Sequence, residues 1–350
     1  MTPTTSRRTF LAAAATATAA VLRAARSGPV AGDGDRPTTG PTTGPATGPT
    51  TGPADGGPPF KTTLHRAMII GAVDEAALSR LRDAGFEGVE STAIVPEADA
   101  ARARAVADRL GMRVHSVLRG WAEFNSPDPA KVAESVARTE AALRAAAAYG
   151  ADAVLTVPCR IGGMPMPEPW EFRVEFDETT GHVTKVVDGD NGPYRAYIDA
   201  HNHAIDTSTE AVKRLIPTAE RAKVVIGLEN VWNNLWVKPA IYRHFVASFG
   251  SPWVKAYFDI GNHVKYGPPP QDWVRVLGDL VVKCHVKDWR FAAPDRHKGG
   301  FVHPRDGHID WPAVRRALDD VGYNGWLTIE DGGLPLKEFG RRINLIVAGR

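Results

Sequence analysis

From residue 60 to residue 350 the sequence predicts one α/β domain, a (β/α)8 barrel of the TIM type, and three observations point to it. Short apolar strands alternate with amphipathic helices from residue 63 onward, eight of each. No glycine-rich turn follows the first strand, where Gly71 stands alone, which argues against an open doubly wound sheet built for a dinucleotide. The segment is also electrically balanced, with 37 basic and 37 acidic side chains, and a barrel of this kind uses ~250 residues as one unit. A neutral body gives no bulk electrostatic reason to hold nucleic acid or an anionic membrane. Cys159 and Cys284 are the only cysteines, so no disulfide framework supports the fold.

The elements follow in order. A strand over Leu64–Gly71 leads to a helix over Asp74–Ala84. Strand Gly88–Ser91 precedes an Ala/Arg-rich helix over 97–110. Strand Arg113–Leu118 leads to the long helix 128–149, and strand Ala153–Val157 to a helix over 206–222. Then come strand Val224–Glu229, helix 239–249, strand Val254–Asp259 and helix 270–278. Strand Val281–Val286, helix Trp311–Val321, strand Trp326–Glu330 and a closing helix over 335–347 complete the set. Residues 160–205 break the rhythm, since a loop after a barrel strand usually has 2–6 residues. Within them Phe172, Val174 and Phe176 alternate, Asp177–Gly181 reads as a turn, and Val183–Val187 returns, which predicts a β-hairpin over 172–187. It would act as a lid over the barrel mouth or as a contact in a homo-oligomer, and both readings stay open.

The chemistry-bearing residues fall where barrel strands end at the common mouth. Strands five to eight close on Glu229, Asp259, His285 and Glu330 respectively. Carboxylates crowded at one mouth repel, and a cation relieves that repulsion. Three carboxylates and one imidazole suit a hard or borderline divalent ion: Mn²⁺ first, with Mg²⁺, Co²⁺ or Zn²⁺ as alternatives. Cys284 should point outward to the helices by strand alternation, as buried packing.

The strings GLENVWN (227–233), YFDIGN (257–262), KCHVKD (283–288) and GHIDWPAVRRALDDVGYNGWLTIED (307–331) carry a resemblance. They are similar to the sugar isomerase/epimerase branch of the xylose-isomerase-like barrels, which includes enzymes of the xylulose-phosphate and tagatose 3-epimerase type. The resemblance implies that Glu229, Asp259, His285 and Glu330 are the ligands of one divalent metal, and that Glu229 and Glu330 form the acid/base pair. It further implies isomerisation or epimerisation of a carbohydrate by proton abstraction next to a carbonyl, through a metal-stabilised enediolate. Two positions depart from the family pattern: Asn262, then His263, where some members carry a substrate-binding His, and Arg305-Asp306-Gly307-His308 where an acidic G-E-G-D segment is common.

The loops suit a sugar. Trp121, Trp170, Trp232, Trp236 and Trp289 fall after strands three, four, five and seven, where indole faces can pack on sugar C–H faces, and at least two of them should be ordinary packing. Candidate substrate-binding residues are Trp232, Asn262, His263, Lys287 and Arg290. Other readings share the scaffold. A metal-assisted lyase or dehydratase of a keto-sugar or inosose starts with the same proton abstraction. An AP-endonuclease-like hydrolase would use extra ligands such as the Asp295-Arg296-His297 pair, and a sugar-binding module would keep the barrel without turnover.

The N-terminus reads as an address. Ser6-Arg7-Arg8-Thr9-Phe10-Leu11 resembles the twin-arginine export signal, and Phe10–Leu22 is an apolar stretch spanning only ~20 Å as a helix, short of a bilayer core of ~30 Å. Residues 1–31 are therefore expected to be a signal peptide read by the twin-arginine translocation machinery. Residues 32–59 are expected to be a disordered tether, because 13 of the 23 residues from Pro37 to Pro59 are Gly or Pro. The expected location is periplasmic or extracellular, with the chain exported folded. Sugar phosphates are mostly cytoplasmic, so export favours an unphosphorylated carbohydrate substrate.

Overall fold

The computed structural model describes residues 59–295 and 297–350; the expected signal peptide and nearly all of the tether lie outside them. The parallel strands β1 (Leu64–Ile70), β2 (Gly88–Ser91), β3 (Arg113–Trp121), β4 (Ala153–Val157), β7 (Val225–Glu229), β8 (Val254–Asp259), β9 (Val281–Val286) and β12 (Gly325–Ile329) form a closed barrel in that order. The ring closes where β1 pairs with β12, from Leu64 opposite Gly325 to Met68 opposite Ile329. Closure leaves no unpaired edge, so every one of these strands is hydrogen-bonded on both sides.

Helices α1 (Glu75–Asp83), α2 (Glu97–Arg109), α3 (Pro129–Tyr149), α4 (Arg195–Ala222), α5 (Pro239–Ala247), α6 (Pro270–Leu277), α7 (Trp311–Asp320) and α8 (Leu336–Val347) follow the barrel strands in turn. Local sequence starts several of them. The side chains of Asp74, Asp128 and Asp310 accept from Ala77, Ala130 and Ala313 N–H, satisfying donors that a helix start leaves free. Pro129 and Pro312 stand in the first turns of α3 and α7, where a missing N–H costs nothing.

The barrel interior is filled from the N-terminal end. Trp326 stacks on His115 at 4.6 Å, and His115 Nε2 lies 3.0 Å from Thr328 Oγ1. Gly88 is required there, because a Cβ would meet the Trp326 ring at 2.5 Å. Cys284 is fully buried, and burial pushes its thiol up to about 12, as inert packing demands.

Two elements differ from the sequence expectation. Helix α4 begins at Arg195 rather than at residue 206, so the insertion after β4 is shorter than residues 160–205. Its first turns bury Tyr197, Ile198, His201, Ala204 and Ile205, a helical stripe in which Tyr and His stand at apolar positions and hide the period. Within the insertion, β5 (Glu175–Phe176) and β6 (Val183–Lys185) pair antiparallel over fewer residues than the expected 172–187 span. A second antiparallel pair was not expected: β10 (Asp288–Phe291) and β11 (Gly299–Val302) form a hairpin directly after β9. Among the described residues no helix is long and apolar enough to cross a membrane.

Candidate metal centre

The last residues of β7, β8 and β9 and the residue after β12 meet at the mouth. One donor atom each from Glu229, Asp259, His285 and Glu330 falls within a cluster whose members all lie within 4.8 Å of one another. His285 Nδ1 stands 2.8 Å from Glu330 Oε2, 3.3 Å from Glu229 Oε1 and 4.0 Å from Asp259 Oδ2. These are ion-pair distances without hydrogen-bond alignment: His285 Nδ1, Asp259 Oδ2 and Glu330 Oε2 are all buried with no hydrogen-bond partner. Three carboxylates and an imidazole sharing one small volume fit a cation that would accept all of them.

Asp259 and His285 are each held by their other atoms. Asp259 Oδ1 accepts from Gly261 and Asn262 N–H, both at 2.8 Å, which leaves Oδ2 for the cluster. Asn230 clamps the same turn, with its Oδ1 accepting from Asp259 N–H at 2.6 Å and its Nδ2 donating to the Asp259 carbonyl at 2.9 Å. His285 Nε2 lies 2.5 Å from Glu90 Oε2, and Glu90 Oε1 accepts from Ser116 Oγ and Tyr257 Oη. That contact places the imidazole proton on Nε2 and turns the Nδ1 lone pair to the cluster. Glu90 was missed at the sequence level; its only signal was an acid inside the otherwise buried strand β2.

Electrostatics divide the two glutamates. Burial pushes the Glu229 carboxyl upward, and Glu330 adds repulsion while His285 offsets part of it. Burial acts the same way on Glu330, but Lys287 and His285 outweigh it and hold that carboxyl down. Lys287 Nζ stands 3.1 Å from Asp259 Oδ2 and 3.0 Å from Glu330 Oε2, and donates to Asn262 Oδ1 at 3.2 Å. A divalent ion with three carboxylates leaves one negative charge, which the Lys287 ammonium balances. Gly261 makes room for it, since a Cβ there would meet Lys287 Cβ at 2.7 Å.

The remaining sequence candidates separate. Trp232 stands in the mouth, stacked on Phe301 at 4.9 Å and edge-on to Trp289, with Nε1 donating to the Asn262 carbonyl at 2.5 Å. Asn262 is buried and its amide is used inside the protein, on the Asn230 carbonyl and on Lys287, so it positions rather than lines the site. His263 requires the same correction. It is 2% exposed, packed on Tyr266 and Trp273, with Nδ1 facing the Asn230 amide at 3.3 Å. Arg290 is exposed and donates to the Asp306 carbonyl, an anchor of the β10–β11 hairpin rather than a member of the cluster. Asp295 and His297 do not join the metal-competent group: Asp295 caps the His297 N–H, and His297 stacks on Trp170. Of the five loop tryptophans, Trp236 is wholly buried against Tyr242, while Trp121 is exposed on the rim. Phe301 was not foreseen, because the β10–β11 pairing that carries it over Lys287, 5.4 Å from Nζ to the ring centre, leaves no local signal.

Comparison with known proteins fits this geometry. The family model described as the xylose isomerase-like TIM barrel matches residues 78–338. An inosose dehydratase of Lacticaseibacillus casei is 31% identical over 96 residues, 24% of this chain and 32% of the relative, so the match spans about a third of that protein. Among solved structures, the E. coli 3-keto-D-glucoside 4-epimerase superposes with a TM-score of 0.60 at 14% identity, covering 81% of this chain and 99% of the other. A xylose isomerase domain protein of Planctomyces limnophilus gives 0.58 at 18%, covering 83% and 98%. A D-psicose 3-epimerase gives 0.58 at 16%, covering 81% and 97%. At these identities the structural likeness speaks for the fold, and the family model speaks for descent. The chain belongs to the xylose isomerase-like TIM-barrel family.

Proposed function

We propose that the protein is a divalent-metal-dependent isomerase or epimerase of an unphosphorylated sugar or keto-sugar, with Mn²⁺ as the preferred ion. The observation that carries this reading is the cluster of four donor atoms at the mouth, three carboxylates and an imidazole drawn into one small volume. Glu229, Asp259, His285 and Glu330 would hold the ion. When bound, it supplies Lewis-acid polarisation of a carbonyl and its neighbouring hydroxyl.

Glu229 and Glu330 come from β7 and from the end of β12, three strands apart in the ring. Their carboxyls reach a sugar from different sides, so one takes the proton next to the carbonyl while the other returns it. The two carboxyls sit in unlike settings, Glu330 beside Lys287 and Glu229 more deeply buried, and either can accept the proton while the other donates. Lys287 offsets negative charge at the centre, and Trp232 shapes the mouth, with Phe301 stacked on its ring and Lys265 over it. The structural neighbours named as acting on a 3-keto-glucoside and on psicose support a carbohydrate substrate. Export by the twin-arginine route, periplasmic or extracellular, is part of the proposal and rests on the Arg7-Arg8 segment alone.

The test is deuterium uptake. The Mn²⁺-loaded protein, incubated in heavy water with 3-keto-glucosides and ketohexoses, should place deuterium on the carbon beside the carbonyl and yield an inverted or isomerised product. Glu229→Gln and Glu330→Gln should each slow this by about 10²-fold or more. The local similarity to an inosose dehydratase supports a second reading, in which a hydroxyl on the next carbon leaves after the same proton is taken. A dehydrated product would decide for it. No exchange by a folded, metal-loaded protein with any of these sugars would overturn the enzymatic reading.

A further inference from the structure

Among the loops that follow the barrel strands lies a cavity of about 480 Å³, inside the ~300–1,000 Å³ range of small-molecule pockets. Its walls come from four different loops at the C-terminal ends of the barrel strands. Arg173 belongs to the insertion after β4, Lys238 to the loop after β7, Lys265 to the loop after β8, and Phe291 to the β10–β11 hairpin. Trp170 and Tyr266 supply aromatic faces. No carboxylate is among the lining residues. In a domain with as many acids as bases, three cations from three loops around one acid-free cavity form a local positive site that the overall balance hides.

The two lysines are half-buried without a carboxylate partner, and Arg173 is exposed. Among the described residues, no carboxylate stands within ion-pair distance of Lys238 or Lys265. Lys238 Nζ donates only to the Tyr266 carbonyl, at 2.7 Å, and Lys265 Nζ lies 3.7 Å from the centre of the Trp232 ring. Arg173 donates to the carbonyls of Trp170 and Phe172, and its carboxylate contact, Asp188, is 3.7 Å away and mostly exposed. Removing ammonium groups from water without a counter-charge is unfavourable. Burial accordingly pushes both lysines down to about 8, helped by Arg173 at Lys238 and by Arg160 at Lys265, where Glu168 acts the other way. An anion entering the cavity would restore what desolvation removed. The site is also joined to the centre, because the indole that carries Lys265 donates to the Asn262 carbonyl, and the Asn262 amide oxygen holds Lys287.

We propose that this cavity is an oxyanion subsite formed by Arg173, Lys238 and Lys265, and that the substrate is an acidic carbohydrate whose anionic group sits there while its reacting carbon lies between Glu229 and Glu330. The assignment of the reacting carbon rests on the isomerase reading; the anion subsite does not. The shared chemistry is a compact oxyanion on a sugar, either a carboxylate, as in a uronic acid, or a sulfate ester.

Binding can be followed by tryptophan fluorescence, since Trp170 lines the site and Lys265 sits over the Trp232 ring, using D-glucuronate, D-glucose 6-sulfate and neutral D-glucose as probes with the metal-loaded protein. The acidic sugars should bind at least about tenfold tighter than glucose, with an advantage that shrinks as salt rises. Whichever acid binds tighter names the source. Lys265→Met and Lys238→Met should each reduce the preference, and the pair together should abolish it. Competition by free sulfate on the unmodified protein supplies the same answer if a variant fails to fold. Equal binding of charged and neutral sugars, or a preference untouched by the lysine variants and by sulfate, would overturn the subsite. Glu330→Gln separates the two claims: it should lose deuterium exchange yet keep the preference for acidic sugars. Preference without exchange in the unmodified protein would leave the anion site standing and remove the isomerase reading.

Discussion

At the scale of single residues, two of the four side chains are fixed at one atom so that the other faces the cluster. Asp259 shows this most directly, with Oδ1 bound by two backbone N–H groups and Oδ2 turned to the cluster. Glu90 does the same for His285 from outside the ligand set. Glu90→Gln would replace a charged acceptor by an amide that can present N–H to the imidazole, weakening both the tautomer choice and the basicity of Nδ1. The expected outcome is a Mn²⁺ affinity lower by about 10–100-fold, measured by chelator competition. An affinity within twofold of the unmodified protein would show that the Glu90 contact is packing alone.

At the scale of elements, the β10–β11 hairpin brings aromatic rings over the mouth, and one buried carboxylate holds its base. Asp288 accepts at one oxygen from Trp289 N–H at 2.8 Å and Ile309 N–H at 3.3 Å, and at the other from Arg305 N–H at 2.8 Å and Trp311 Nε1–H at 2.9 Å. The run from 305 to 309 therefore folds back onto the hairpin and delivers α7 in place. Asp288→Asn puts an N–H where acceptors are required. It should cost about 2–3 kcal/mol of stability, read as a lower urea midpoint at unchanged slope. A variant as stable as the unmodified protein would mean that water takes over these bonds. The backbone of the 305–308 segment takes part in this network, since Arg305 N–H is one of the Asp288 donors.

At the scale of the whole molecule, the closed barrel and its helices bury histidines that must stay uncharged. Burial holds His201 down to about 4 and His263 down to about 3. Above the ordinary value of 6.5 both folded and unfolded chains carry these rings neutral, and the stability is fully present. As pH falls below 6.5 the unfolded chain binds protons that the folded chain refuses. Each ring then removes about 1.4 kcal/mol per pH unit until its folded value is reached. The denaturation midpoint should therefore drop between pH 6.5 and 4, and His201→Gln should lessen the slope by one histidine's share; an identical slope would remove His201 from the account. The sequence by itself determined the strand rhythm and the placement of Glu229, Asp259, His285 and Glu330 at strand ends, because periodicity and strand length are local properties. It also identified Cys284 as buried packing, by the two-residue alternation of a strand. Only the tertiary structure decided that Glu90 meets His285 across 195 residues, that Asn262 and His263 support the site instead of lining it, and that cations from three loops surround one cavity. Those outcomes depend on barrel closure and loop packing, which join residues at separations that no repeat or spacing in the chain encodes.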